Sequence, residues 1–102
     1  MSDGGVSLGE AGELRLSGIL DYRTGPELLR SGKVLIGQSK AERLVVDCSA
    51  VDKSSSVGVS LLLAYMRLAK KQGRELDIVN LPQDMAHIAE VSGLQDILSL
   101  ES

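Results

Sequence analysis

Three consecutive serines, Ser54, Ser55 and Ser56, carry the hydroxyl groups best placed for chemistry in this sequence. They follow an apolar run that ends at Asp47 and immediately precede a long apolar segment with helical spacing. A helix start has free N–H groups and a partial positive charge, so it stabilises an anion, including a covalently attached phosphoryl group. The position predicts phosphorylation or contact with a partner, and helix capping is the simpler alternative for any one serine.

Other reactive side chains are too few and too scattered to make a catalytic or metal site. His87 is the only histidine and Cys48 the only cysteine, and their separation lacks the spacing of metal ligands. Neither a phosphate-binding G-x-x-x-x-G-K-[ST] loop nor a G-x-G-x-x-G fingerprint occurs. We therefore expect no enzyme activity, no metal and no cofactor.

Composition limits the partners and the location. The net charge is −3 without a cluster of basic residues, which argues against binding to nucleic acid. A lone Cys48 and the lack of a signal-peptide pattern at the start predict a cytoplasmic protein. The apolar stretch at 61–64 is far shorter than the roughly 20 residues of a membrane span, so we expect no direct membrane insertion.

Hydrophobic periodicity predicts a single α/β domain over residues 1–102, with elements in the order β, β, α, β, α, β, α. Residues 1–12 are predicted to be a flexible arm or a short edge strand. The continuous apolar run at 43–49 predicts a strand covered on both faces, followed by a loop at 49–55. Gly32 interrupts the first helix and is predicted to be its weak point.

The segment 57–71 is apolar around more of its circumference than a surface helix needs to cover one core. One explanation is that neighbouring helices cover its flanks. The other is that Val59, Leu63 and Met66 are exposed and form a docking face, with Arg67 and Lys70 at its polar rim. We prefer the docking face.

The stretch "LVVDCSAVDKSSSVGVSLLLAYMRLAKKQGRELDIVNL" resembles the core of a STAS domain. The resemblance is tight over residues 43–81 and looser over most of the chain. It implies a small mixed sheet with about three packed helices. It also implies that Ser56 occupies the phosphorylatable position and that Gly58 is a helix-start glycine in contact with the partner.

Two residues depart from the family pattern. Ser55 stands where an aspartate is usual, and Val57 stands where a glycine is common. A kinase that recognises Asp-Ser would find this loop a poor substrate. We therefore expect Ser56 to have a structural or partner-contacting role.

Within the family, the sequence is most similar to the small STAS subunit of Mla-type ABC phospholipid transporters. That similarity implies a non-catalytic accessory subunit that binds the transporter ATPase through residues 56–70 and part of the third helix. The protein would meet the membrane permease only indirectly, at the inner face of the inner membrane, and would help to maintain outer-membrane lipid asymmetry. The alternative is an anti-sigma-factor antagonist regulated by serine phosphorylation.

Overall fold

The computed structural model describes residues 4–94. The elements follow the predicted order, and all of them fall near their predicted positions. The strands are β1 (Gly4–Leu8), β2 (Leu14–Leu20), β3 (Arg43–Ser54) and β4 (Glu75–Val79), and the helices are α1 (Gly25–Gln38), α2 (Ser56–Lys71) and α3 (Gln83–Val91).

The strands form one mixed sheet in the order β1-β2-β3-β4. β1 runs antiparallel to β2, whereas β3 is parallel to both β2 and β4. Each parallel connection passes through a helix, as such connections require. The predicted α/β fold class, a small mixed sheet with three helices, is confirmed. Residues 4–8 form an edge strand of this sheet.

The core lies between one face of the sheet and the helices and is mostly aliphatic, with the ring of Tyr65 fully buried in it. Strand residues alternate between the two faces, and alternate positions of β2 and β3 are fully buried, namely Leu14, Leu16, Leu20, Leu44, Val46 and Cys48. The intervening residues Val45 and Asp47 are only partly buried. The prediction that β3 is covered on both faces is therefore wrong within residues 4–94. The β-branched Val45 suits an extended backbone without being fully buried.

The phenol of Tyr65 joins α1 to α2. Its hydroxyl donates a 2.6 Å hydrogen bond to the backbone carbonyl of Leu28, and its ring lies against the backbone of Gly32. A Cβ at position 32 would overlap ring atoms of Tyr65. Gly32 is thus a close-packing position of α1, which corrects its prediction as a weak point.

A second connection fixes the end of α1. Arg74 follows α2 after Gly73, whose φ of 70° is the left-handed conformation that glycine adopts easily. The Arg74 guanidinium donates hydrogen bonds to the carbonyls of Ile36 and Ser39 at 2.8 and 2.9 Å and to that of Ala41 at 3.0 Å. These carbonyls lie at or just beyond the α1 C-terminus, where they lack partners within the helix.

Candidate interaction site on the second helix

The connection between β3 and α2 is one residue long. β3 continues to Ser54 and α2 begins at Ser56, so the predicted loop at 49–55 is mostly strand. Along β3 the partners of β2 skip a residue twice, which marks two bulges. The bulges bend the strand while keeping Val51 buried, and this allows polar residues to remain in an extended strand.

The three serines have different roles at this junction. Ser54 Oγ donates a 2.8 Å hydrogen bond to the Ser55 carbonyl. Ser55 is the N-cap of α2, because its Oγ accepts from the Val57 N–H at 3.2 Å, and the same hydroxyl lies 3.4 Å from the Leu20 carbonyl. Ser56 is the first helical residue; it is exposed, and its hydroxyl bonds to nothing within the described chain. Capping therefore explains Ser55 and leaves Ser56 available.

Gly58 holds the first turn of α2 against the domain. The residue is buried, and a Cβ there would overlap Ser54 Oγ and lie 3.1 Å from both Leu20 Cδ1 and Met85 Cε. Leu20 is the last residue of β2, Ser54 is the last residue of β3, and Met85 lies in the first turn of α3. Gly58 therefore packs inside the domain rather than on the partner-facing surface predicted for it.

The predicted docking face of α2 is largely buried. Val59 is 2% exposed and Met66 is 4% exposed, whereas Leu63 is half-buried against the core. α2 is the middle helix and packs against α1 on one side and α3 on the other, with the sheet beneath it. The exposure predicted for Val59 and Met66 is therefore wrong, because both side chains belong to the core of the domain.

A narrower stripe of α2 remains at the surface. Its members recur every three or four residues and so share one side of the helix. We call it the α2 outer face, and it consists of Ser56, Ser60, Leu63, Arg67 and Lys70. Leu63 is half-buried and the other members are exposed. α2 contains no acidic residue, so the charges on this face are all positive.

An apolar groove runs beside the outer face, between the N-terminal halves of α1 and α2. The α1–α2 groove has a volume of about 410 Å³ and is lined by Tyr22, Gly25, Pro26, Leu29, Val57, Ser60, Leu61 and Ala64. Tyr22 is 79% exposed at its rim. Sequence reasoning missed this groove because it arises from the separation of two helices. The apolar spacing in α1 predicts that one side of this helix is buried, but it does not predict a groove between α1 and α2.

The remaining polar candidates near β3 have structural roles. Asp47 accepts hydrogen bonds from the Ser49 N–H at 2.9 Å and from the Asn80 amide at 3.1 Å, and these hold the pKa of its carboxyl below the usual value. Burial, reinforced by the nearby charge of Asp47, raises the pKa of Cys48 to about 12. Cys48 is consequently a protonated core residue at neutral pH.

His87 is exposed on α3, and over residues 4–94 the acidic, histidine and cysteine side chains form no group of three or more that could hold a metal ion. Across that same range, the helices are all too short or too polar to span a bilayer.

The four-stranded mixed sheet and the three helices are arranged as in a known domain family. The family model described as "Mlab, STAS domain" matches residues 6–100, and the chain belongs to the STAS domain family. The resemblance predicted from residues 43–81 is thereby confirmed.

The chain is similar to members of two functional groups. The anti-sigma-B factor antagonist of Bacillus subtilis (strain 168) is 24% identical over 90 residues, which cover 88% of this chain and 81% of the relative. An anti-sigma factor antagonist from Mycobacterium paratuberculosis has a similar structure, with a TM-score of 0.72, 26% identity and coverage of 95% of this chain and 82% of that chain.

The second group is represented by a chain of the Acinetobacter MlaFEDB complex in an ATP-bound conformation, the MlaB subunit. It has a TM-score of 0.81 and 24% identity, over 95% of this chain and 99% of that subunit. Both groups therefore share the fold seen here.

Proposed function

We propose that this protein is a non-catalytic accessory subunit that binds the ATPase subunit of an ABC transporter for phospholipids. It would reach the inner face of the inner membrane through that ATPase and, indirectly, through the membrane permease. The transporter would maintain the lipid asymmetry of the outer membrane. Nucleotide hydrolysis and lipid transfer would belong to the other subunits.

The observation that carries this proposal is the α2 outer face. Ser56 and Ser60 expose hydroxyls that the fold does not use, and Arg67 and Lys70 expose charges without an ion pair in residues 4–94. The face stands on a helix whose opposite side is locked into the core by Tyr65. A rigid, preorganised helix face loses little conformational entropy on binding, which suits a subunit that stabilises another protein.

The comparisons favour the transporter over the sigma-factor system. The likeness to the subunit of the MlaFEDB complex covers 99% of that subunit, and the matching family model carries the description "Mlab". The anti-sigma factor antagonist from Mycobacterium paratuberculosis is covered over 82% of its length.

The experiment is co-purification of the ATPase with Ser56→Glu and Leu63→Asp variants. We expect both to lose the ATPase, because one adds charge at the helix start and the other places a carboxylate on a half-buried apolar contact. Lys40→Glu is the control, since Lys40 is an exposed cation in the connection after α1. Circular dichroism must show each variant folded. Undiminished capture by both folded variants would contradict the proposal.

The second candidate function is an anti-sigma-factor antagonist switched by phosphorylation of Ser56. The free, exposed Ser56 hydroxyl favours it, because a phosphoryl group there would lie beside the first N–H groups of α2. Ser55 in place of the usual aspartate weighs against it. Incubation with an anti-sigma kinase and ATP, followed by mass spectrometry, separates the two functions: phosphate on Ser56 and a stable kinase complex would support the antagonist.

A further inference from the structure

We infer that the α1–α2 groove and a row of exposed cations beside it form one docking site for an acidic amphipathic segment of a partner protein. The cationic row consists of Lys33 on α1 and Arg67, Lys70 and Lys71 on α2. Apolar side chains of the segment enter the groove and its carboxylates lie over the row. The inference rests on the proposed function, and it names the chemistry by which the ATPase is recognised.

The groove supplies the apolar half of the site. Its lining is mostly carbon, from Pro26, Leu29, Val57 and Ala64 among others. Tyr22 stands at the rim with most of its ring in water. Aromatic side chains are enriched at the centres of protein interfaces, where they contribute much of the binding energy. The groove is bounded on two sides by helices, a concave shape that fits side chains of a folded segment better than a flat lipid surface.

The cationic row continues the groove along both helices. α1 and α2 each connect two parallel strands, so they run in the same direction with their N-termini at the groove. Lys33 lies four residues after Leu29, and Arg67 lies three residues after Ala64. Residues at these spacings share a side of the helix, which places Lys33 and Arg67 about one turn beyond the groove, and Lys70 and Lys71 follow in the last turn of α2.

Over residues 4–94, no carboxylate pairs with the charges of the row. Elsewhere Arg15, Arg30 and Arg43 each pair with a carboxylate. The four cations of the row have no such partner in residues 4–94, although the whole chain is acidic with a net charge of −3. Charge segregated in this way repels a basic partner and attracts an acidic one.

A peptide experiment tests the inference without the ATPase. Two designed helical peptides share one leucine face; the first has glutamates on its other face and the second has lysines. Fluorescence anisotropy should show the acidic peptide binding at least about tenfold more tightly, with affinity falling as salt rises. Ser60→Glu, at the groove, and Arg67→Glu, in the row, should each weaken binding severalfold because each adds a carboxylate that repels the acidic peptide, whereas Lys40→Glu should leave it unchanged. Equal affinity for both peptides would overturn the inference, as would insensitivity to both variants.

Two further experiments, vesicle binding and capture of the ATPase, identify the class of partner. Phosphatidylglycerol vesicles should bind poorly; vesicle binding that Arg67→Glu abolishes would overturn the inference by assigning the row to a membrane. In capture of the ATPase, retention by both Ser60→Glu and Arg67→Glu would overturn this inference; the proposed function would stand if capture were still lost in Ser56→Glu and Leu63→Asp. Binding of the acidic peptide by a protein that never captures the ATPase would support this inference and contradict the proposed function.

Discussion

The ring of Tyr65 occupies the space that a Cβ at Gly32 would fill, so the distance between α1 and α2 depends on the absence of a side chain at residue 32. The Tyr65 hydroxyl is fixed at the same time by its hydrogen bond to the Leu28 carbonyl. The ring therefore cannot move aside without losing a buried hydrogen bond, which is costly. This contact holds α2 in position and orients its outer face.

Replacement of Gly32 by alanine should destabilise the protein by about 1–3 kcal/mol through overpacking. Gly37 is the matched control on the same helix, since a Cβ there meets nothing within 4 Å. Gly37→Ala should stabilise by roughly 0.5–1 kcal/mol, because it lowers the entropy of the unfolded chain. Urea unfolding of both variants measures the difference. Equal stabilisation by both would show that Tyr65 does not constrain residue 32.

Ser55→Ala should cost about 1 kcal/mol of stability, because it removes the hydroxyl that caps the Val57 N–H. Ser56→Ala should change stability by less than about 0.5 kcal/mol, since its exposed hydroxyl has no partner in residues 4–94. Thermal unfolding of both variants distinguishes a structural serine from one available to a partner. A larger loss at Ser56 than at Ser55 would reverse these assignments.

Arg74→Ala should destabilise the protein by about 2–3 kcal/mol, since several carbonyls near the α1 C-terminus lose their donor. Arg74→Lys should recover little of this, because an ammonium group does not reproduce the fork geometry of the guanidinium. Arg67→Ala is the control and should be within about 0.5 kcal/mol of the parent. Full recovery by lysine would mean that charge alone, rather than the fork geometry, accounts for the role of Arg74.

Cys48 should make stability fall in alkaline solution. Burial raises its pKa to about 12 in the native state from an ordinary value of 9.0. The unfolded state therefore ionises first, and the contribution of Cys48 is complete below about pH 9 and is lost as the pH rises toward about 12. Urea unfolding across this range should show the loss. Cys48→Ala should flatten the dependence while leaving the part due to Tyr65, whose pKa burial also raises. An unchanged slope in Cys48→Ala would contradict the assignment.

Sequence periodicity was sufficient to predict the elements, because the buried positions of β2 and the apolar side of α1 follow their own periods. It was not sufficient for α2. Apolar residues around most of a helix have the same pattern whether the domain itself or a partner covers them, and here Val59 and Met66 are buried within the domain. The polar residues at the end of β3 predicted a loop, which the structure shows to be mostly strand. Bulges allow Asp52 and Lys53 to belong to that strand.

The candidate site was predictable in part. Helix-start chemistry identified the serines, but which of them caps depends on the exact residue at which β3 ends. The groove and the role of Arg74 depend on contacts between residues more than 30 positions apart in the chain. No local pattern carries that information.

Photo-cross-linking in the assembled transporter shows directly which subunit the α2 outer face contacts. A benzoylphenylalanine replaces Ser60, in the middle of the α2 outer face, and in a separate variant it replaces Lys40. We expect a cross-link from position 60 to the ATPase subunit and none from position 40. Cross-linking of the ATPase from position 40 alone, or of the permease rather than the ATPase from position 60, would contradict this expectation.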